Sequence, residues 1–168
     1  NLSASGGSIE DYLRSLDMKM SVSLNDATVL PRLSQLTQKT NQFNLTTRRY
    51  SEADIATRVE GAEFWVFHFS LADKFGDSGI VGLAIIEQKS ENTAHLDTFL
   101  MSCRVIGRSA EESFLRTIIR ELKGCGLSEL TAEYIPTRKN VLVETFLADH
   151  GFIQTDTGLY TTSLNDEI

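Results

Sequence analysis

Three successive strands followed by an amphipathic helix in the central part of the chain constrain the fold more than any other feature. Residues 63–71 and 94–103 show the alternation of apolar and polar side chains that is typical of β-strands, and the apolar run 80–87 is predicted to be the strand between them. The glycine- and charge-rich residues 73–79 predict a hairpin loop between the first two strands. The next segment has the apolar stripe of an amphipathic helix, formed by Phe114, Leu115, Ile118, Ile119 and Leu122. Strands joined by tight turns pair antiparallel, whereas a strand reached through a helix can pair in parallel, so a mixed sheet is expected.

Shorter elements flank this central part. Before it we predict, in chain order, a helix over residues 8–16, a strand over 18–24, a helix capped by Asp26, a polar irregular segment over 41–50 and a helix over 51–59. After it we predict a strand over 127–135, a helix over 140–150, and two strands over 152–153 and 159–164. The fold class is therefore α/β, a twisted mixed sheet flanked by helices. Residues 1–7 are expected to be a linker or a remnant of cloning, and residues 8–168 to form one domain.

Composition excludes several classes of function. Sixteen Lys and Arg against 23 Asp and Glu give a net charge of −7, so attraction of a nucleic-acid backbone is not expected. The apolar runs are far shorter than the ~20 residues that span a bilayer, so no membrane anchor is expected. Cys103 and Cys125 have neither the spacing of a metal site nor a histidine at ligand distance in the sequence, so no metal is expected. We expect a reduced, cytoplasmic protein.

The segment that leaves the strand 94–103 and enters the amphipathic helix is a candidate anion site. A strand end, Gly107 and a helix N-terminus together expose backbone N–H groups at the positive end of a helix dipole. Arg104 and Arg108 flank these groups and can bind a phosphate through two nitrogens. The alternative is an ordinary helix N-terminus with two arginines in solvent.

Two motifs resemble those of the GNAT acyl-CoA acyltransferase superfamily. Arg104-x-x-Gly107-x-Ser109 is similar to its pyrophosphate-binding signature, although Ser109 stands where Gly or Ala is usual. The stretch from Asn140 to Phe152 is similar to the second signature, although Leu147 stands where a tyrosine commonly donates a proton. The resemblance implies a GNAT-type fold, in which the phosphate-binding turn follows the strand 94–103 where it splays from the strand 127–135, and a groove for CoA or a carrier protein's phosphopantetheine. The departures at Ser109 and Leu147 make ordinary amine acetylation doubtful.

Three longer strings narrow the resemblance to the C-terminal GNAT-like domain of FkbH-like proteins: KTNQFNLTTRRY at 39–50, DKFGD at 73–77 and LMSCRVIGR at 100–108. This resemblance implies an upstream phosphatase domain of the haloacid dehalogenase type, whose motif does not occur in this sequence. It also implies transfer of a glyceryl unit from 1,3-bisphosphoglycerate to an acyl carrier protein, as a thioester used for polyketide extender units. The alternative is a non-catalytic GNAT-like module that positions the phosphatase domain or mediates assembly.

Site residues follow from the resemblance and from the chemistry of the side chains. Cofactor binding is expected at five residues, Arg104, Gly107, Arg108, Ser109 and Asn140. Substrate contacts are expected at four, Asn41, Asn44, Arg48 and Arg49, whose alternative is a polar connection that caps neighbouring helices. Because carrier proteins are usually acidic, docking of one would need a local basic patch. We expect this patch to consist of Arg48, Arg49, Arg104 and Arg108.

Cys103 is the candidate nucleophile, because a helix N-terminus and an adjacent arginine would lower the pKa of its thiol. The alternative is a buried strand-end cysteine. Strict alternation places one face of the strand at His95, Asp97, Phe99, Met101 and Cys103, and a base for the thiol would have to come from another element.

The remaining aromatic and histidine side chains have structural interpretations. Trp65, Phe67 and Phe69 are predicted to lie in the core. His68 and His150 are predicted to be hydrogen-bonded or exposed to solvent.

Overall fold

A seven-stranded mixed sheet organises the protein. The computed structural model describes residues 19–73, 76–102 and 110–164, with positions 73, 77 and 78 described by their backbone alone. The strands are β1 (Lys19–Leu24), β2 (Phe64–Asp73), β3 (Gly76–Gln88), β4 (Thr93–Met101), β5 (Glu129–Glu133), β6 (Ile153–Asp156) and β7 (Leu159–Ser163). Their order in the sheet is β1-β2-β3-β4-β5-β7-β6. Only β4 and β5 pair in parallel within this sheet, so the predicted mixed sheet is confirmed.

Four helices flank the sheet in the described residues: α1 (Leu30–Lys39), α2 (Glu52–Glu60), α3 (Ala110–Gly124) and α4 (Phe146–Asp149). Asp26 caps a 3-10 turn at Ala27–Val29 that leads into α1. Ser51 and Asp54 form a reciprocal capping box at the start of α2. The helix predicted over 8–16 and the linker over 1–7 lie outside the described residues.

The helix predicted over 140–150 is wrong in its length. The chain forms a 3-10 turn at Val141–Val143 and then the four-residue α4. The β-branched residues Val141, Val143 and Thr145 lie close together here and lose side-chain freedom in a helix. The backbone N–H of Glu144 accordingly bonds three residues back, to Val141 O at 3.0 Å.

The hairpin loop predicted over 73–79 is also wrong, because the ladder between β2 and β3 continues as far as the pair Asp73 and Gly76. Two register shifts allow this extension. Gly79 has a φ of +73°, a backbone conformation that suits glycine. The bulged ladder therefore uses the glycines inside a strand, where a loop was expected.

The sheet separates two apolar clusters. The larger lies on the face covered by α3 and α4 and includes Phe67, Phe69 and Phe114, with Trp65 packed against it. The smaller includes Leu33 of α1 and lies on the face covered by α1 and α2. The core positions predicted for Phe67 and Phe69 are confirmed, whereas Trp65 is only partly buried.

The histidines behave differently from one another. His150 Nδ1 lies 2.8 Å from Phe146 O, as predicted for a hydrogen-bonded side chain. His68 is only 5% exposed, and its Nδ1 has no hydrogen-bond partner among the described residues. Burial lowers the pKa of His68, against a smaller opposing effect of Asp26. The prediction for His68 was therefore wrong.

No helix within residues 19–73, 76–102 and 110–164 is long and apolar enough to cross a membrane.

Candidate functional site

A gap opens in the sheet where β4 and β5 part. The two strands pair in parallel only from Thr93 with Glu129 to Leu96 with Ala132. β4 then continues for five residues while β5 ends one residue later. The predicted separation of these two strands is confirmed, and it leaves one backbone edge of β4 without a strand partner beyond Leu96.

A bulge in β4 marks the start of the gap. Thr98 pairs with Ile85 and Leu96 pairs with Ile86, so Asp97 is an extra residue opposite β3. Beyond the bulge Phe99 and Met101 lie in the same apolar cluster as Leu96. The prediction that these two residues share a face with His95 and Asp97 is therefore wrong, because one inserted residue reverses the alternation.

Residues 43–47, here called the wedge, fill the gap. The N–H of Met101 donates to Phe43 O at 3.0 Å, and the N–H of Leu45 donates to Phe99 O at 3.2 Å. These bonds form a short antiparallel bridge with β4. The chain thus satisfies the free edge of β4 with its own extended peptide.

Two hydrogen-bonded contacts fix the wedge on the β5 side. Asn140 is fully buried, and its Nδ2 donates to Asn44 O and Ile135 O, each at 3.0 Å. The N–H of Ile135 donates in turn to Leu45 O at 2.9 Å. Asn140, predicted to bind a cofactor, therefore holds the wedge in this structure.

The wedge ends in a strained turn. Thr47 has a φ of +53°, which is unfavourable for a β-branched residue. Asn44 holds this conformation, because its Oδ1 accepts from the N–H of Thr47 at 2.9 Å while its Nδ2 donates to Thr40 O at 3.1 Å. Such strain costs about 1–3 kcal/mol and persists only where surrounding contacts enforce it.

Five side chains meet at the start of the gap and are called the polar cluster: Arg48, Tyr50, His95, Asp97 and Glu133. Arg48 bridges the two strands, with Nη1 2.9 Å from Asp97 Oδ1 and Nη2 3.1 Å from Glu133 Oε1. The hydroxyl of Tyr50 donates to Asp97 Oδ2 at 2.6 Å. The side chains of Arg48, His95, Asp97 and Glu133 are between 18 and 33% exposed, so the polar cluster is partly buried.

His95 connects the polar cluster to β5. Its Nε2 lies 3.1 Å from Glu133 Oε1, and its Nδ1 lies 2.6 Å from Thr131 Oγ1. In a neutral imidazole, Nε2–H donates to the carboxylate and Nδ1 accepts from the hydroxyl. A histidine held in this way by a carboxylate can take up a proton and have the resulting charge stabilised.

Burial and charge tune two other members of the polar cluster. Burial and the hydrogen bond to Asp97 raise the pKa of Tyr50 to about 12, which keeps the phenol protonated at neutral pH. Burial by itself would lower the pKa of Arg48, but Asp97 and Glu133 outweigh it and the pKa is raised. The polar cluster therefore holds a fixed cation, a neutral hydroxyl donor and a histidine–carboxylate pair.

An open cavity of about 470 Å³ adjoins the polar cluster at Glu133, which lines it together with Glu144 and Tyr160. Within residues 19–73, 76–102 and 110–164, no group of three or more His, Cys, Asp or Glu side chains is arranged to hold a metal ion. The side chains of the polar cluster can transfer protons and form hydrogen bonds.

The residues predicted to contact substrate all make contacts within the chain. Arg49 donates to Thr40 O at 3.1 Å and to the side chain of Asn41, so it caps the end of α1 as the alternative interpretation had it. Arg48 belongs to the polar cluster, and Asn44 shapes the wedge. A role for these residues in binding substrate stays a prediction.

Most of the predicted cofactor site falls outside the described residues, as does the candidate nucleophile. These positions are Cys103, Arg104, Gly107, Arg108 and Ser109, and their roles stay predictions. Leu147, at the position where the resemblance leads one to expect a tyrosine, is 1% exposed within the larger apolar cluster.

Sequence reasoning missed His95, Tyr50 and Glu133 as members of one site. Their signal was weak, because they come from three separate elements. The polar residues at alternate positions of β5, Thr131 and Glu133, were a usable clue, since they follow the alternation of a strand with one polar face.

Comparison with solved structures identifies the fold. The ribosomal-protein-S18-alanine N-acetyltransferase from Escherichia coli is 17% identical and matches with a TM-score of 0.65, over 89% of this chain and 97% of that chain. The PaiA N-acetyltransferase from Thermoplasma acidophilum, in complex with coenzyme A, is 13% identical with a TM-score of 0.67, over 86% and 99% of the two chains. A GNAT-family acetyltransferase from Staphylococcus aureus Mu50 is 11% identical with a TM-score of 0.66, over 88% and 100%. No family model and no curated protein matches the sequence. The chain therefore has the GNAT acyltransferase fold, as predicted.

Proposed function

We propose that this domain is the acyltransferase-type part of an enzyme that loads a glyceryl unit from 1,3-bisphosphoglycerate onto an acyl carrier protein. The product would serve polyketide extender-unit biosynthesis in the cytoplasm, with a phosphatase domain of the haloacid dehalogenase type supplied upstream. The sequence strings at 39–50, 73–77 and 100–108 support this reading. Three proteins of the same fold were crystallised with coenzyme A, which supports a ligand of the CoA or phosphopantetheine type.

The observation that carries the proposal is the gap between β4 and β5. Its β4 edge offers the N–H of Met101 and the carbonyl of Phe99, which bind an extended peptide in this structure. A phosphopantetheine arm is also an extended chain with two amide groups, so it can replace the hydrogen bonds that the wedge makes. The residues present therefore fit the arm, provided that the wedge withdraws.

Withdrawal of the wedge has opposing energetic contributions. The wedge belongs to a connection without regular secondary structure between α1 and α2, and its Thr47 is held in a strained conformation. Releasing Thr47 recovers about 1–3 kcal/mol, and the arm would replace the two hydrogen bonds to β4. Withdrawal also breaks the bonds to Asn140 and Ile135 and exposes the buried side chains of Phe43 and Leu45, so binding of the arm must offset these losses.

The polar cluster would perform the proton transfers. When bound, the arm supplies the thiol that accepts the acyl group. His95 would accept a proton at Nδ1 by way of the Thr131 hydroxyl bonded to it, with Glu133 stabilising the imidazolium. Tyr50 stays protonated and orients Asp97 through its hydroxyl, while Arg48 fixes the two carboxylates. Cys103 would carry the acyl group if the thiol of the enzyme lies in this domain.

Binding of labelled carrier protein tests the proposal. The holo form, which carries the arm, should bind more tightly than the apo form, because only the arm can use the gap. Equal affinity for both forms would mean that the arm is not recognised.

Activity in the full enzyme tests the polar cluster. His95→Gln should lower acyl transfer by about 10²- to 10⁴-fold, as expected when a general base is lost. Glu129→Gln is the matched control, because Glu129 lies on the same strand but contacts Thr161 outside the cluster. A loss in the control as large as in His95→Gln would contradict the assignment.

A second function is favoured by the closed gap and by Leu147. If the wedge never leaves, the domain is a non-catalytic GNAT-like module that positions the phosphatase domain or mediates assembly. In that case His95→Gln should leave acyl transfer by the full enzyme unchanged, and deletion of this domain should alter assembly of the enzyme.

A further inference from the structure

A cavity of about 520 Å³ lies outside the polar cluster, between the end of α1 and the turn before Asn140. Its lining residues are Lys39, Asn41, Gln42, Arg138 and Lys139. Three of them are cationic and none is acidic, although the chain as a whole carries a net charge of −7. We call it the basic cavity.

The cations of the basic cavity are not used by the fold. The side chains of Lys39, Arg138 and Lys139 make no hydrogen bond or ion pair within residues 19–73, 76–102 and 110–164. By contrast, Arg48 and Arg116 are ion-paired with carboxylates. Three cations that face one cavity without a carboxylate repel one another unless an anion joins them.

The backbone that carries Arg138 and Lys139 is rigid. Thr137 Oγ1 accepts from the N–H groups of Lys139 and Asn140, each at 3.1 Å, and Asn140 Oδ1 accepts from the N–H of Thr137 at 2.8 Å. Asn140 in turn holds the wedge through Asn44 O. The two walls of the basic cavity are therefore fixed to each other, which lowers the entropy cost of binding a ligand between them.

The wall of the basic cavity formed by the end of α1 can also accept an anion. The C-terminal carbonyls of α1 carry partial negative charge, but the guanidinium of Arg49 caps them at Thr37 O and Thr40 O. Arg49 also donates to Asn41 Oδ1, which leaves the amide nitrogen of Asn41 as a donor. That nitrogen makes no hydrogen bond within the described part of the chain.

We propose that the basic cavity binds a phosphate monoester or diphosphate group of a small ligand. A concave site with three cations and an amide donor suits a compact anion with several oxygens better than the flat surface of an acidic protein. The cavity next to the polar cluster has the opposite character, since Glu133 and Glu144 line it. A phosphorylated ligand is therefore directed to the basic cavity.

The position of the basic cavity links it to the proposed function, on which this last step rests. Asn41 and Gln42 immediately precede the wedge, so a ligand held here lies at the end of the gap where Phe43 meets Met101. The phosphate could come from a CoA-type ligand or from a phosphorylated acyl donor. The shared chemistry is the phosphate group, and the source is decided by experiment.

Titration of the ¹⁵N-labelled protein with inorganic pyrophosphate tests the site directly. The backbone amides of Asn41, Gln42, Arg138 and Lys139 should shift together, and the affinity should fall as salt rises. The double variant Arg138→Gln, Lys139→Gln should bind about tenfold more weakly. Absence of shifts at these amides would overturn the proposal.

A matched control separates the site from the general effect of charge. Arg120→Gln, Lys123→Gln removes two cations from the far end of α3. This variant should bind pyrophosphate like the unaltered protein. If both double variants weaken binding equally, the effect is one of net charge and the proposal fails.

Further arms identify the source and separate this inference from the proposed function. If the Arg138→Gln, Lys139→Gln variant binds CoA more weakly but 3-phosphoglycerate normally, the site takes a CoA-type ligand. If it binds 3-phosphoglycerate more weakly but CoA normally, the site takes the phosphorylated acyl donor. Pyrophosphate binding without any binding of CoA or holo-carrier would sustain the site while refuting the proposed function. Binding of both CoA and 3-phosphoglycerate unaffected by the double variant, or equal weakening of apo- and holo-carrier binding, would overturn the site as a small-ligand site.

Discussion

Removal of the Asn140 side chain should destabilise the domain strongly, because this residue fastens the wedge. Asn140→Ala deletes two donated hydrogen bonds at 3.0 Å and two accepted bonds, from the N–H of Thr137 at 2.8 Å and from the Tyr134 hydroxyl at 3.4 Å. The carbonyl of Asn44 belongs to a fully buried residue and would be left unsatisfied, at about 1–3 kcal/mol. Ile135 and Thr137 are exposed enough for water to replace their bonds, so they add about 0.5–1 kcal/mol each.

The expected total for Asn140→Ala is a loss of about 3 kcal/mol in the free energy of unfolding, including the small cavity. With a typical urea dependence of about 2 kcal/mol/M, the midpoint should fall by about 1.5 M, followed by the fluorescence of Trp65. Asn140→Asp keeps the shape but turns a carboxylate oxygen toward two carbonyls, so it should be at least as destabilising. Asn92→Ala, in an exposed turn, is the control and should change stability by less than about 0.5 kcal/mol. An effect of Asn140→Ala no larger than that control would refute the reasoning.

Three further substitutions test other parts of the fold. Gly82→Ala should lower the free energy of unfolding by about 2–3 kcal/mol, because a Cβ there would lie 2.0 Å from the ring of Phe69. The control Gly124→Ala, whose Cβ meets no atom within 4 Å, should leave the free energy of unfolding unchanged; urea or thermal unfolding measures both. Burial lowers the pKa of His68 in the folded protein, so the unfolded chain takes up a proton first as the pH falls below about 6.5. The free energy of unfolding should therefore decrease as the pH is lowered from 7.5 to 5.5, and it should decrease less steeply in His68→Gln. Tyr50→Phe should lower stability by about 1–2 kcal/mol, and because the pKa of Tyr50 is about 12, it should leave the number of tyrosinates seen by absorbance at pH 11 unchanged.

The regular elements were predictable because their signals are local. The capping box of Ser51 and Asp54 and the apolar stripe of α3 are each contained within a few residues. Element order then limits the sheet to a small set of topologies, of which the mixed sheet is one. The parting of β4 and β5 followed from the resemblance and is confirmed.

The candidate site was less predictable because it depends on long-range contacts. The bulge at Asp97 reverses the alternation of β4 and cannot be read from a period of two. The wedge depends on a hydrogen bond between Asn140 and Asn44, which are 96 residues apart. The polar cluster pairs Arg48, from the connection between α1 and α2, with Glu133 of β5, so no local sequence motif predicts it. Polar residues that sequence reasoning assigned to substrate, Asn44 and Arg49 among them, are used to build this arrangement.

The most direct test of the account is amide hydrogen exchange in the gap, with and without a saturating holo-carrier protein. In the free domain the N–H groups of Leu45, Met101 and Ile135 should all exchange slowly, since each is hydrogen-bonded. When the arm displaces the wedge, Leu45 should exchange at least tenfold faster while Met101, now bonded to the arm, stays protected. Holo-carrier binding that leaves Leu45 as protected as before would contradict the claim that the arm occupies the gap between β4 and β5.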